Sequence, residues 1–324
     1  MKRYVTADDF VDVIHKIKQR GFGFILSKLN MAGIKRTEST FDQTDYQSAD
    51  WWIIPAVQQR WNLLVSGDKE VDYKEYLVRD FLKDKKELRL LSLGSGSCHH
   101  EMELAKHANF DQVVCVDITP KRLQEAEARA KELGLTNMRF ICDDVYNLDL
   151  EKQYFDIVFF HSSLHHFDKI AQFVKGTISE YLKTGGLLVI DEFVGATRLQ
   201  FPKEQIVAIN QAIKMIPKKY RTRYKSNLLK RRYFGSGLFR MILADPSECV
   251  DSASIIPAIH KNFETVAERP YGGNILMSAL KDIAHHFVAL DPEKRQILED
   301  LFEYEDTYME SHPSDFIFGI YCKQ

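Results

Sequence analysis

The stretch Leu88-Arg89-Leu90-Leu91-Ser92-Leu93-Gly94-Ser95-Gly96-Ser97-Cys98-His99-His100-Glu101 decides the fold. Its apolar run, Leu90 to Leu93, reads as a buried parallel strand. The run ends in Gly94-Ser95-Gly96, and a helical pattern continues from Cys98 to His107. Glycine has no Cβ, so a ligand can approach the backbone of such a turn. The helix start beyond it offers N–H groups and partial positive charge to a carboxylate or phosphate. A glycine turn also serves as a plain connector, so its weight depends on the downstream strands and helices.

Strand and helix patterns alternate from there. Gln112 to Val116 predicts a second strand ending at Asp117, and Thr119-Pro120 opens a helix that Gly134 stops. Met138 to Cys142 is a third strand, Phe155 to Phe160 a fourth and Leu187 to Ile190 a fifth. A helix spans Asp168 to Leu182, and Lys183-Thr184-Gly185-Gly186 reads as a turn. Phe263 to Glu268 and Asp315 to Cys322 close the set, with helices over Ile275 to Phe287 and Pro292 to Glu310. This order predicts an α/β fold: a doubly wound, mostly parallel seven-stranded sheet with a helical cap. Residues 1–85 form the N-terminal part of the cap, 86–195 the ligand-binding core, 196–261 a helical insertion and 262–324 the completion of the sheet.

The composition, 45% hydrophobic and 28% charged, is that of a globular protein. A net charge of −2 excludes bulk attraction to polyanions. No apolar run reaches the ~18 residues of a membrane span, and Met1-Lys2-Arg3-Tyr4 leads into Asp8 and Asp9 rather than a signal core. Five scattered cysteines without a CxxC pair suggest reduced thiols and a cytoplasmic location. No His spacing supports a zinc site, so no metal is expected.

In an open parallel sheet, ligands sit beyond the carboxyl ends of the strands. Here those ends carry Gly94-Ser95-Gly96, Asp117, Asp143-Asp144 and His161-Ser162-Ser163. Asp117 lies 21 residues past Gly96, about the spacing at which an acid meets ribose hydroxyls. Asp144 is placed to accept from an exocyclic amine. Each acid alone also reads as a turn or helix-start residue; together, in order, they describe a nucleoside site. A dinucleotide fingerprint would need a small residue at position 99, where this chain has His99.

Residues 88–192 resemble the core of a class I S-adenosylmethionine-dependent methyltransferase. The motifs are Leu91 to Ser97, Val114-Cys115-Val116-Asp117, Phe140 to Val145, Phe155-Asp156-Ile157-Val158 with Leu164-His165-His166-Phe167, and Gly185 to Ile190. Flanking segments, Trp52-Ile53-Ile54-Pro55 with Arg60-Trp61-Asn62 and Arg269 to Gly273, resemble a bacterial subgroup with a helical cap. The resemblance implies S-adenosylmethionine as cofactor. It places Gly94, Ser95 and Gly96 by the methionine part, Asp117 and Ile118 at the ribose, Asp144 and Val145 at the adenine and His161 near the reacting end. The family often carries a third glycine near Cys98, and this chain has Cys98-His99-His100 instead.

His165 and His166 are candidate bases, although Leu164-His165-His166-Phe167 also reads as a packing and capping element. Asp191-Glu192 stands at the end of the fifth strand, and Glu192 is a candidate for orienting an acceptor. Trp52, Arg60 and Tyr271 are expected at the substrate pocket, with Tyr46 as a weaker candidate. The tryptophans 51, 52 and 61 read first as an anchor for the cap. His99 and His100 read as packing at a helix start. Lys218 to Arg232 holds eight basic residues and no acid, which reads as a solvated helical face or as a patch for an anion or RNA. The expected function is methylation, on oxygen or nitrogen, of a small molecule under the cap. The alternatives are a cofactor-binding protein without transferase activity and an RNA methyltransferase using 218–232.

Overall fold

The computed structural model describes residues 2–10 and 49–324. Tyr46 and the helical pattern over 11–48 lie outside the described residues.

Seven strands form one sheet: β1 (Leu88–Leu93), β2 (Phe110–Asp117), β3 (Met138–Cys142), β4 (Phe155–His161), β5 (Leu182–Phe193), β6 (Glu264–Gly272) and β7 (Phe316–Cys322). Their order across the sheet is β3-β2-β1-β4-β5-β7-β6. β1 to β5 run parallel, and β7 is antiparallel to both β5 and β6. The order reverses beside β1, so the tips of β1, β2 and β4 open one crevice.

The central strands are continuous apolar runs because both faces are covered. Leu90, Val113, Cys115, Ile157, Phe159 and Val189 pack on one face with Leu77, Leu82, Met102 and Leu123. Leu91, Val114, Val116, Val158, Phe160 and Ile190 pack on the other with Ile170, Phe173, Ile255 and Ile259. A one-residue slip would exchange the two sets, so the register is strongly specified.

A third core lies at the carboxyl end of the sheet. Trp51, Ile54 and Val57 meet Ile209 and Ile213 of helix Lys203–Met215, and Leu298 and Leu301 of helix Pro292–Met309. Phe193 at the end of β5, registered opposite Phe316, belongs to the same region.

Four expectations need correction. Lys183 to Gly186 belongs to β5 as an irregularity: β4 advances from Phe155 to Ile157 while β5 advances from Leu182 to Leu187. The insertion is only partly helical, because the segment after Lys218–Tyr220 forms an extended turn bridged at Thr222 and Leu229. Helix Ile255–Asn262 covers the sheet rather than the cap. The helix expected over Ile275 to Phe287 breaks after Leu280, where Lys281 leaves the helical region with a ψ of 134° and Asp282 takes a φ of 66°.

Candidate functional site

Two cavities meet at the strand tips. The smaller, about 570 Å³, is lined by Gly94, Ser95, Gly96, Asp117, Ile118, Asp144, Val145 and His161 among others. These are all eight residues expected to hold a nucleoside cofactor. Gly94 has a φ of 73° and approaches Ser163 so closely that a Cβ would lie 3.0 Å from the Ser163 Cβ. Gly96 has a φ of 54°. Where a third glycine is often found, Cys98 adopts a φ of 53°. The chain thus keeps the left-handed turn at the cost of a strained non-glycine residue.

Asp117 is buried and braces the turn. Its two carboxylate oxygens accept from Gly96 N and Thr119 N, each at 2.8 Å. Each oxygen has a further lone pair directed by the same geometry. Asp144 caps the turn Val145–Asn147 by accepting from Tyr146 N.

The larger cavity, about 1120 Å³, shares His100, His161 and Ser162 with the smaller one. Trp52 and Tyr271 line it, together with His165 and Asp191. Tyr73 and His100 are the residues that sequence reasoning missed. The Tyr73 hydroxyl lies 2.9 Å from His100 Nδ1 and 3.0 Å from His161 Nδ1. Asp191 accepts from the Tyr271 hydroxyl at 2.6 Å and lies 3.0 Å from His161 Nδ1. Burial and the neighbouring His161 hold His100 down to about 2, so its ring is neutral. Burial and the Asp191 charge push the Tyr73 and Tyr271 hydroxyls well up, so both stay protonated.

Residues 84–267, more than half of the chain, match the family described as "Methyltransferase domain". The chain belongs to this family. An uncharacterized methyltransferase from Bacillus subtilis, YcgJ, is 25% identical over 107 residues, which are 33% of this chain and 42% of that relative. The match therefore spans less than half of the relative's length. The fold is shared with Haemonchus contortus phosphoethanolamine N-methyltransferase 2, solved in complex with S-adenosyl-L-methionine. That match has a TM-score of 0.50 and 14% identity, and covers 91% of this chain and 60% of the other. An S-adenosylmethionine-dependent methyltransferase from Mesorhizobium loti aligns at 16% identity with a TM-score of 0.44, over 77% of this chain and 97% of that one.

Within this methyltransferase domain and its flanks, four expected roles change. Glu192 is fully buried and lines neither cavity. It accepts from the amides of Ser163, Leu164 and Phe193 and from His165 Nδ1 at 2.7 Å, so it positions the segment after β4 rather than an acceptor. His165 is held towards its charged form. Burial opposes a charge on its ring, but the adjacent Glu192 carboxylate overrides burial and lifts it to about 9. Arg60 lines neither cavity at the strand tips. It lies buried, 3.2 Å from Glu305, bonds Asp306 and donates to Tyr271 O. His166 is displaced to the smaller cavity, where it lies with Phe167 and Ser247.

Half of the basic stretch is committed within the fold. Arg223 pairs with Asp282, Lys219 with Glu293, and buried Lys230 donates to the carbonyls of Ser278 and Lys281. Arg221 donates to Ile216 O. The stretch is thus neither a helical face nor a continuous basic patch. None of the five cysteines forms a disulfide. Among the described residues no helix is long and apolar enough to cross a membrane.

Proposed function

We propose that this chain transfers a methyl group from S-adenosylmethionine to a small-molecule acceptor held in the larger cavity. The observation that carries this reading is the junction of the two cavities at His100, His161 and Ser162. A donor in one and an acceptor in the other would face each other across that junction.

The residues present fit the cofactor. Gly94 and Gly96 would let its methionine part approach the backbone, Asp117 and Ile118 would hold the ribose, and Asp144 with Val145 would hold the adenine. When bound, it supplies an activated methyl group on a sulfonium that already contains the leaving group. The protein's task is then to orient the acceptor, exclude water and handle one proton. The aromatic faces of Trp51, Trp52, Trp61 and Tyr271 give the acceptor an apolar surround. The buried indole N–H of Trp61 has no protein partner, which suits an acceptor carrying an oxygen or nitrogen lone pair. For a hydroxyl acceptor, His161 takes the proton, with Asp191 at 3.0 Å to steady the resulting charge. A neutral amine needs no base. Charged His165, anchored on Glu192, contributes a hydrogen-bond donor and positive charge rather than proton abstraction.

A cofactor-binding protein without transferase activity would have its acceptor space filled by apolar side chains; a cavity of about 1120 Å³ lined by histidines and acids favours the enzyme. An RNA acceptor would need a run of available cations along 218–232, and Lys219, Arg221, Arg223 and Lys230 are already engaged within the fold. Titration with S-adenosylmethionine, followed by metabolite profiling with methyl-labelled cofactor, tests the reading. Saturable cofactor binding and a labelled small molecule are expected. Thermal protection by NAD(P) but not by S-adenosylmethionine would overturn it.

A further inference from the structure

We propose that His165, His166 and Glu248 form a binding site for a first-row divalent cation that spans the two cavities. One ligand atom from each of these residues lies within 4.8 Å of the others. His165 and Glu248 line the larger cavity and His166 the smaller. Sequence spacing carries no hint of such a site, because the carboxylate comes from a distant loop.

The hydrogen-bond pattern around the cluster sets both imidazoles for ligation. The Ser247 hydroxyl donates its proton to Asp245 at 2.6 Å. Its contact with His166 Nδ1, at 3.1 Å, must therefore run from the ring N–H to the serine oxygen. The His166 lone pair then sits on Nε2. His165 Nδ1 donates to Glu192 at 2.7 Å, so a cation would take Nε2, displacing the proton that the metal-free ring carries there. A carboxylate or hydroxyl holding the far nitrogen is the usual support of a metal-bound histidine, fixing both tautomer and ring plane.

The carboxylate is held as firmly. Arg198 donates to the carbonyls of Pro246 and Glu248 at 2.6 and 2.9 Å, clamping the loop. Val250 N donates to His165 O at 3.2 Å and ties that loop to the histidine segment. The Cys249 thiol donates to one Glu248 oxygen at 3.2 Å. Ligand atoms around a shared ion, each about 2 Å from it, sit roughly 3 Å apart. Small side-chain rotations therefore close the set. Two imidazoles and one carboxylate suit manganese, iron, cobalt, nickel or zinc better than calcium, and three ligands leave open positions. Those positions suit an oxygen of the acceptor; this use rests on the methyl-transfer reading, whereas the cation site rests on the residues alone.

The test uses full-length protein stripped with a chelator, titrated with Co²⁺ and Mn²⁺ and read by cobalt absorption and manganese EPR. One equivalent is expected to bind. Glu248→Gln and His166→Ala should weaken binding by more than tenfold, and Glu192→Gln by about 10- to 100-fold, with His260→Ala unchanged. Circular dichroism checks folding. If His166→Ala does not fold, the near-isosteric Glu248→Gln decides. No stoichiometric binding at about 1 mM metal, or equal affinity in wild type and Glu248→Gln, overturns the site. A parallel titration with S-adenosylmethionine separates the two ideas. Cofactor binding without cation binding removes the cation site only. Cation binding without cofactor binding removes only the methyl-transfer reading.

Discussion

The two cavities that meet at His161 are built in opposite ways. The smaller is made largely from successive strand tips: Gly94 to Gly96 after β1, Asp117 after β2, Asp144 after β3 and Ser162 after β4. The larger is gathered from segments remote in the chain, with Trp52 and Tyr73 from one end, Tyr271 from β6 and Glu248 from the insertion. The strand-tip cavity is a property of the sheet, and its residues are set by topology alone. The gathered cavity exists only once three separate segments have packed. The first is therefore expected to be hard to alter without losing the ligand, and the second easier to alter without losing the fold.

The largest effect falls on the strand-tip side. Asp117→Ala removes acceptors for Gly96 N and Thr119 N as well as the expected ribose partner. Losing two or more hydrogen bonds to a charged group should weaken S-adenosylmethionine by roughly 100-fold or more. Calorimetric titration measures it, with circular dichroism confirming the fold. Affinity within threefold of wild type would break the assignment of this cavity to the cofactor.

The same contrast explains what was legible in the sequence. Strand ends announce themselves by an apolar run stopping at a glycine or an acid, so all eight cofactor candidates line the smaller cavity. Arg60 sits beside Trp61 in the sequence, yet its partner Glu305 lies in a helix far along the chain. Glu192 is next to Asp191 at a strand end, but successive residues of a strand point to opposite faces. Asp191 faces the larger cavity and Glu192 is buried behind it. Tyr73 carried no signal, because nothing local shows that its hydroxyl will reach His100 and His161. The basic stretch read as one face only because its partners Asp282 and Glu293 are distant in sequence.

Glu192→Gln probes the segment after β4, whose His165 and His166 line different cavities. The amide cannot accept all the N–H groups that the carboxylate serves, so stability should fall by about 2–3 kcal/mol. It also releases His165 from its raised pKa. The folded value, about 9, lies above the ordinary 6.5, so the pair's contribution is complete below pH 6.5. It declines as pH rises and is gone above 9. The stability gap between wild type and variant should therefore be widest near pH 6 and narrow by pH 9.5. Urea melts at the two pH values measure it; a gap independent of pH would show that His165 carries no charge in the folded protein.

Tyr73→Phe keeps the ring packed and removes only the hydroxyl between the two histidines. On the gathered side the expected loss is in turnover, about tenfold, corresponding to ~1.4 kcal/mol. Cofactor affinity should stay within about twofold. A loss confined to cofactor binding would instead place Tyr73 with the strand-tip cavity and blur the division between them.

The smallest effect expected is from Arg231→Ser with Arg232→Ser, two exposed cations of the basic stretch. They lie outside both cavities, and Arg232 rests over the Phe234 ring at 5.2 Å. Surface substitutions of this kind change stability by less than about 0.5 kcal/mol, and a small acceptor enclosed near His161 would not meet them. Methyl transfer should therefore be unchanged and insensitive to added salt. An RNA acceptor would behave differently: each neutralised phosphate contact would lower the salt slope by about one, and binding would weaken uniformly across sequences. A steep salt slope that the double variant flattens would move the acceptor out of the gathered cavity and onto the surface of the insertion.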